Sequence, residues 1–229
     1  MMENMINAMM KRYQMFVWLG LVIVIVAFLL SVSAANANSI FFSADKATRE
    51  SAAAGTALVV ANVTRQSIST WVPAFKFLGL GIMLGAITMA LGTIITTLRD
   101  LGAGVMSTWP KGLNPGISEK PRAAKLFPMI MMMGWILLIA GLIWALSLNG
   151  VVTSYWSHSI ASELDLAQHG SALLAQLGLT QFTLPWLSFF RLLGMAFLFT
   201  GITVALAVII RTLQSQEKTL QKFLQALSA

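Results

Sequence analysis

Residues 71–99 read WVPAFKFLGLGIMLGAITMALGTIITTLR, a stretch in which Lys76 is the only charged residue before Arg99. Crossing the roughly 30 Å hydrocarbon core of a bilayer takes about 20 predominantly apolar residues in a helix. The run from Val72 to Leu98 is long enough, and its single lysine lies only one turn inside the start. The stretch therefore predicts a transmembrane helix.

The same pattern recurs further along the chain. Residues 186–214 read WLSFFRLLGMAFLFTGITVALAVIIRTLQ, and 12 of 29 positions are identical to residues 71–99 without a gap. The match continues upstream into loop positions, where apolar bias does not explain a shared register: Gly55/Gly170, Ala57/Ala172, Leu58/Leu173 and Gln66/Gln181. We therefore predict that the chain is a tandem duplication of a two-helix hairpin.

Two further apolar runs bring the number of predicted spans to four. The spans cover about 15–37, 72–98, 126–148 and 186–210. The first follows Lys11 and Arg12 and ends in Ala35-Asn36-Ala37, which is also typical of a secretory signal and its cleavage site. Its apolar run is longer than the roughly 7–15 residues of a signal core, so we expect a retained span.

The composition agrees with a membrane protein. The chain is 57% hydrophobic and 10% charged, whereas soluble domains carry about 25% charged residues. It has no cysteine, which excludes disulfides and thiolate metal sites. His158 and His169 would lie roughly 16 Å apart on one helix, too far for one metal ion. We expect no metal, no cofactor and, with no soluble segment large enough for a basic face, no nucleic-acid partner.

The cations concentrate on one side of the predicted spans. The termini and the loop at 99–125 hold most of them, whereas the segments at 38–71 and 149–185 hold few, Lys46 and Arg65 among them. The positive-inside rule therefore places both termini and the 99–125 loop in the cytoplasm. We expect a multi-pass protein of a bacterial inner (plasma) membrane.

The predicted architecture is all-α. It comprises a first hairpin at 1–99, a cytoplasmic loop at 100–125, a second hairpin at 126–214 and an amphipathic C-terminal helix at 215–229. Both hairpins enter from the same side, so the repeat is parallel, with its axis along the membrane normal. The outer segments at 43–63 and 159–177 are predicted to form short extracytoplasmic helices. Ser43 would cap the first, and Gly55 and Gly170 would mark a bend in each.

Two acid–base couples repeated by the duplication are the sharpest polar signal. Lys76 is equivalent to Arg191, and Glu50 is equivalent to Asp165. These residues predict an anion or lipid-headgroup site at the membrane interface, or an ion pair that ties each outer helix to its hairpin. The alternative is that the two long cationic side chains snorkel to the headgroups.

Small residues recur at equivalent positions as well. Gly81-x-x-x-Gly85 aligns with Ala196-x-x-x-Thr200. Small residues four apart let two helix backbones approach closely in a membrane. We therefore predict that these positions pack the second span against the fourth.

The sequence contains no recognisable Ser-His-Asp set, phosphate loop or intramembrane carboxylate, so we do not expect an enzyme. The C-terminal segment keeps Leu220, Phe223, Leu224 and Leu227 on one face. We expect it to continue the fourth span as an amphipathic helix at the membrane surface or on a partner. We expect a non-catalytic accessory or scaffold subunit of a larger multi-subunit membrane complex, in contact with the lipid bilayer and other membrane protein subunits. The alternative is a small transporter or channel that works as a homo-oligomer, and a membrane enzyme has the least support.

Overall fold

The computed structural model describes residues 12–107, 122–158 and 171–228. Within these ranges the chain forms helices α1 (Tyr13–Ser43), α2 (Lys46–Glu50), α3 (Ala57–Ser107), α4 (Arg122–Trp156) and α5 (Ala172–Ser228). All but α2 are long and apolar enough to cross a membrane. The predicted all-α class and the four predicted spans are confirmed.

Every long helix exceeds the span that the sequence predicts. For example, α5 runs from Ala172 to Ser228, against a predicted crossing of 186–210. Apolar composition marks only the part that suits hydrocarbon, where a helix satisfies its own backbone polar groups. Several hydroxyl side chains inside the helices are satisfied by carbonyl oxygens of their own helix. Thr88 is buried in α3, and its hydroxyl donates to the Leu84 carbonyl oxygen at 3.0 Å.

The single helix predicted at 43–63 is wrong, because the chain forms three pieces there. Ser43 is the last residue of α1 and not a cap. Asp45 caps α2 instead, since its Oδ1 accepts a hydrogen bond from the Thr48 backbone N–H at 2.8 Å. Gly55 has a φ of +80°, a conformation that glycine adopts without a Cβ penalty. The chain turns at this glycine before α3 begins.

The predicted loop at 100–125 is helical at both ends, which corrects its boundaries. α3 continues to Ser107 and includes Gly102. A Cβ built on Gly102 would lie 2.9 Å from the side-chain nitrogen of Gln216. That nitrogen donates to the Leu98 carbonyl oxygen at 2.7 Å. Glycine at this position therefore makes room for a contact between α3 and α5, and residues 108–121 lie outside the described ranges.

The second outer segment is described only in part. Gly170 and residues 159–169 lie outside the described ranges. α5 begins directly after Ser171, whose Oγ accepts a hydrogen bond from the Leu174 N–H at 3.3 Å. The helix predicted at 159–177 is therefore seen only in its last part, as the start of α5.

The described residues pack as two compact units. The first takes in the described parts of Met1–Trp18, Ile82–Gly134 and Ala196–Ala229, and the second takes in Leu19–Gly81 and Trp135–Met195 with the same restriction. Each unit contains a part of all four long helices. The predicted duplication into two hairpins stays a prediction.

In the second unit, α3 packs against every other long helix. Its Ala74 shares a buried core with Ala145, Leu148 and Val152 of α4 and with Leu187 of α5. Its Gly79 faces α1, where a Cβ built on the glycine would lie 3.0 Å from the Gly20 carbonyl oxygen. The absence of a side chain at Gly79 thus permits close contact between α1 and α3.

The first unit has its own apolar core. Ile95 of α3, Phe127 of α4 and Ala205 and Val208 of α5 are buried together. A Cβ built on Gly201 would meet the Met131 Cβ at 3.7 Å, an ordinary contact distance. The helices of this unit are therefore packed through apolar residues of different sizes, from alanine to phenylalanine.

Candidate functional site

Arg191 is buried in α5, with 7% of its surface exposed. Its Nε donates to the Leu187 carbonyl oxygen at 2.9 Å, and its Nη2 lies 3.4 Å from the Ser188 Oγ. A cation inside a membrane span is costly unless its donors find acceptors. The preceding turn of its own helix supplies these acceptors.

Lys76, the residue predicted to be equivalent to Arg191, is in a different environment. Its side chain is exposed on α3. The two predicted cations therefore do not form equivalent sites within the chain. The position of Lys76 suits a long side chain that reaches towards headgroups, and its binding of an anion or lipid stays a prediction.

Glu50 pairs with a neighbour on its own helix. Its Oε1 lies 3.7 Å from the Lys46 Nζ, an i,i+4 pair on α2. It is the one ion pair among the residues that the structure describes, and Asp165 lies outside them. The structure thus pairs Glu50 with Lys46 and not with Lys76. Exposed pairs of this kind contribute about 0.3–0.5 kcal/mol.

The small residues predicted to pack the second span against the fourth differ in burial. Gly81 and Gly85 are buried in α3, whereas Ala196 and Thr200 are exposed on α5. The four positions therefore do not form one shared contact within the chain. An exposed residue has no neighbouring helix over it, so any packing role of Ala196 and Thr200 requires another chain.

A group of arginines and aromatic rings lies where α1, α2 and α3 meet. We call Phe41, Phe42, Arg49, Asn62 and Arg65 the arginine cluster. The Arg49 Cζ lies 5.4 Å and 5.1 Å from the ring centroids of Phe41 and Phe42. The Arg65 Cζ lies 4.6 Å and 5.0 Å from the same two centroids. Both guanidinium groups therefore make cation–π contacts with one pair of rings.

Sequence reasoning did not find the arginine cluster. One signal was present, because Phe41 and Phe42 end an apolar run and Arg49 follows them closely. The rest depends on how α3 docks on α1, through a buried contact of Ala61 with Ala37 and Phe41. No local pattern in the sequence brings Arg65 to the same rings.

The histidines do not form a metal site in the described part of the chain. The His158 Nδ1 lies 3.2 Å from the Tyr155 carbonyl oxygen near the end of α4. His169 lies outside the described residues. Among the residues described, no three or more His, Asp or Glu side chains are grouped as metal ligands would be.

Together these features define an all-α integral membrane protein with four helices that are long and apolar enough to cross a bilayer. No protein-family model, no curated protein and no solved structure matches the chain. Function is therefore inferred from its own side chains and surfaces.

Proposed function

We propose that this chain is a non-catalytic accessory or scaffold subunit of a larger multi-subunit membrane complex, and that the end of α5 contacts a partner subunit. The observation that carries the proposal is an exposed leucine face on α5. Leu220 is 51% exposed and Leu224 is 60% exposed, and Leu213 is exposed as well.

These leucines lie on one side of the helix. They are spaced by seven and four residues, which brings them close to one line on an α-helix. Ser215 and Lys222 fall on the opposite side and are also exposed. The alternation of leucines with polar residues is typical of a helix that packs one face against another protein.

The course of α5 favours a protein partner over the bilayer surface. From Ile202 to Ser228 the helix contains neither proline nor glycine and has no break. Sharp kinks almost always need proline, glycine or serine pairs, or an inserted bulge. A helix that continues a span without a kink leaves the bilayer. Its leucine face then meets water unless another chain covers it.

A second surface on α5 supports the same proposal. Ala196 and Thr200 are exposed inside the apolar part of the helix. Small residues four apart are a common contact surface between membrane helices. A span of a partner subunit would fit against this face inside the hydrocarbon.

The proposal is tested by changing the leucine face in the full-length chain. Burial of one leucine contributes about 1.5–3 kcal/mol, so Leu220→Gln with Leu224→Gln should weaken the partner contact by at least about a hundredfold. The matched control is Ser215→Gln with Lys222→Gln on the opposite face. Each tagged chain is purified from native membranes in mild detergent, and co-purifying proteins are quantified by mass spectrometry.

We expect the leucine variant to lose a partner that the control variant and the unchanged chain retain. Equal recovery of every partner by both variants contradicts the proposal. A native chain that purifies alone, as a monomer or a homo-oligomer, also contradicts it and favours the small transporter or channel.

A further inference from the structure

The arginine cluster brings together two positive charges without a negative one. Arg49 and Arg65 stand over the same two rings. Among the described residues no carboxylate pairs with either, and Glu50 is engaged with Lys46. Cation–π contacts offset part of the cost of holding two guanidinium groups together. The repulsion between them remains, and an anion placed between them would remove it.

Two buried donors in the cluster have no acceptor. The Arg49 Nε is buried and makes no hydrogen bond. Asn62 is 1% exposed, and its Oδ1 accepts from the Arg65 Nε at 2.8 Å. An arginine nitrogen can only donate, so this bond fixes the orientation of the amide. It leaves the Asn62 Nδ2 buried and without a partner. Buried donors are nearly always satisfied in folded proteins, and an unsatisfied one is destabilising.

The arginine cluster therefore has both the positive charge and the unpaired N–H groups to bind an anion with several acceptor oxygens. Arginine forks match the oxygens of a phosphate or carboxylate in geometry. The cluster also lies at the end of the first span, because Phe41 and Phe42 form the last turn of α1. Phe42 is exposed beside the arginines. A phospholipid whose phosphate lies at this level extends its acyl chains into the hydrocarbon beside α1.

We propose that Arg49, Arg65 and Asn62 bind the phosphate group of an anionic phospholipid headgroup, with Phe42 against the start of its acyl chains. Free inorganic phosphate has the same acceptor oxygens and negative charge, so it is the competing ligand for this site. The site is distinct from the predicted positions Lys76 and Arg191, and it does not depend on the proposed subunit role.

The site is tested by the thermal stability of the full chain in detergent, followed by the fluorescence of its tryptophans. Short-chain phosphatidylglycerol, short-chain phosphatidylcholine and inorganic phosphate are added separately at equal concentrations. A ligand that binds only the folded chain raises the Tm, and at equal concentrations the tighter ligand raises it more. We expect phosphatidylglycerol to raise the Tm more than either of the others. An equal rise with inorganic phosphate overturns the lipid assignment.

Variants separate a binding role from a structural one. Arg49→Gln and Arg65→Gln should weaken phosphatidylglycerol binding by about tenfold or more each, because each removes a charge-assisted contact. Arg49→Gln should not lower the Tm without lipid, since it also relieves repulsion, whereas Arg65→Gln also removes the donor to the buried Asn62 Oδ1 and is compared only by its lipid-induced rise. The matched control is Lys46→Gln, which removes a nearby exposed charge on the same helix and should leave the lipid-induced rise intact. A lipid-induced rise that survives in both arginine variants overturns the proposal.

A third variant places the counter-charge inside the chain. Asn62→Asp should raise the Tm without lipid and abolish the further rise on adding phosphatidylglycerol, because its carboxylate supplies the negative charge and removes the amide donor. The second outer segment carries two carboxylates, Glu163 and Asp165. A double change of Glu163→Gln and Asp165→Asn should leave lipid binding unchanged. If that double change strengthens lipid binding severalfold, carboxylates of the chain itself fill the site and the proposal is overturned.

Discussion

Replacing Gly79 with alanine should push α1 away from α3 and destabilise the chain. A Cβ at this position would lie 2.8 Å from the Ile23 Cγ2 and 3.0 Å from both the Val24 Cγ2 and the Gly20 carbonyl oxygen. Isoleucine and valine have one strongly preferred χ1 rotamer in a helix, and the carbonyl oxygen belongs to the backbone. Rotation of a side chain therefore does not relieve these contacts, and the helices have to move apart.

Two effects of the substitution oppose each other. Alanine in place of glycine inside a helix stabilises it by about 0.5–1 kcal/mol, whereas an extra methyl group in a well-packed contact costs about 1–3 kcal/mol. Gly150→Ala in α4 is the matched control, because a Cβ there meets nothing within 4 Å. The free energies of unfolding of the two variants should differ by about 1–3 kcal/mol, the cost of overpacking.

Unfolding in mixed micelles of a mild detergent and sodium dodecyl sulfate, followed by the fluorescence of the seven tryptophans, measures both variants. We expect Gly79→Ala to unfold at a lower mole fraction of dodecyl sulfate than the unchanged chain, and Gly150→Ala at a higher one. Equal stability of the two variants would refute the close contact between α1 and α3.

Two further predictions concern the ends of the spans. Because the chain has no cysteine, the single variants Ser43→Cys, Ser118→Cys and Ser228→Cys report its topology. An impermeant maleimide added to intact cells should label only Ser43→Cys. Labelling of Ser118→Cys contradicts the predicted orientation. Hydrogen bonds from the backbone N–H and the hydroxyl of Thr48 lower the pKa of the Asp45 carboxyl below its ordinary value. The pKa of Asp45 is lower in the folded chain than in the unfolded chain. The cap of α2 therefore stabilises the chain at pH values above the ordinary aspartate pKa of about 3.9. This stabilisation is lost as the pH falls through the folded-state pKa. An NMR titration of Asp45 in micelles should give a midpoint below that of a peptide of residues 43–51, and an equal midpoint argues against the cap.

The existence of the four spans could be predicted because hydrocarbon imposes one strong rule on the sequence. A span needs about 20 apolar residues, and each of the four runs satisfies this requirement. The ends of the helices could not be predicted from the same rule. α3 continues past Gly102 to Ser107, and Gln216 of α5 contacts it there. Hydropathy carries no information about such a contact.

The candidate site was predicted less well than the fold, because burial depends on neighbouring helices. Lys76 and Arg191 occupy matching positions in the two similar stretches, yet one is exposed and the other buried. Similar sequence fixes the position of a residue along its helix, but the side that the next helix covers is set by tertiary packing. The arginine cluster was missed for the same reason, since Arg65 reaches the rings only once α3 has docked on α1.

Arg191 and Arg49 differ in how their Nε atoms are paired, which explains why a ligand is assigned to Arg49 and not to Arg191. The Arg191 Nε donates to a carbonyl oxygen of its own helix, so the folded chain itself satisfies this group inside the span. The Arg49 Nε is buried without an acceptor and stands close to a second arginine. Folding therefore leaves a buried donor without an acceptor at the end of the first span, whereas the Arg191 Nε has its acceptor. The chain thus pairs the buried Arg191 within its own helix. Its unpaired donors lie at the end of the first span, where a lipid headgroup would bind them, and its exposed leucines lie on α5, where a partner subunit would cover them.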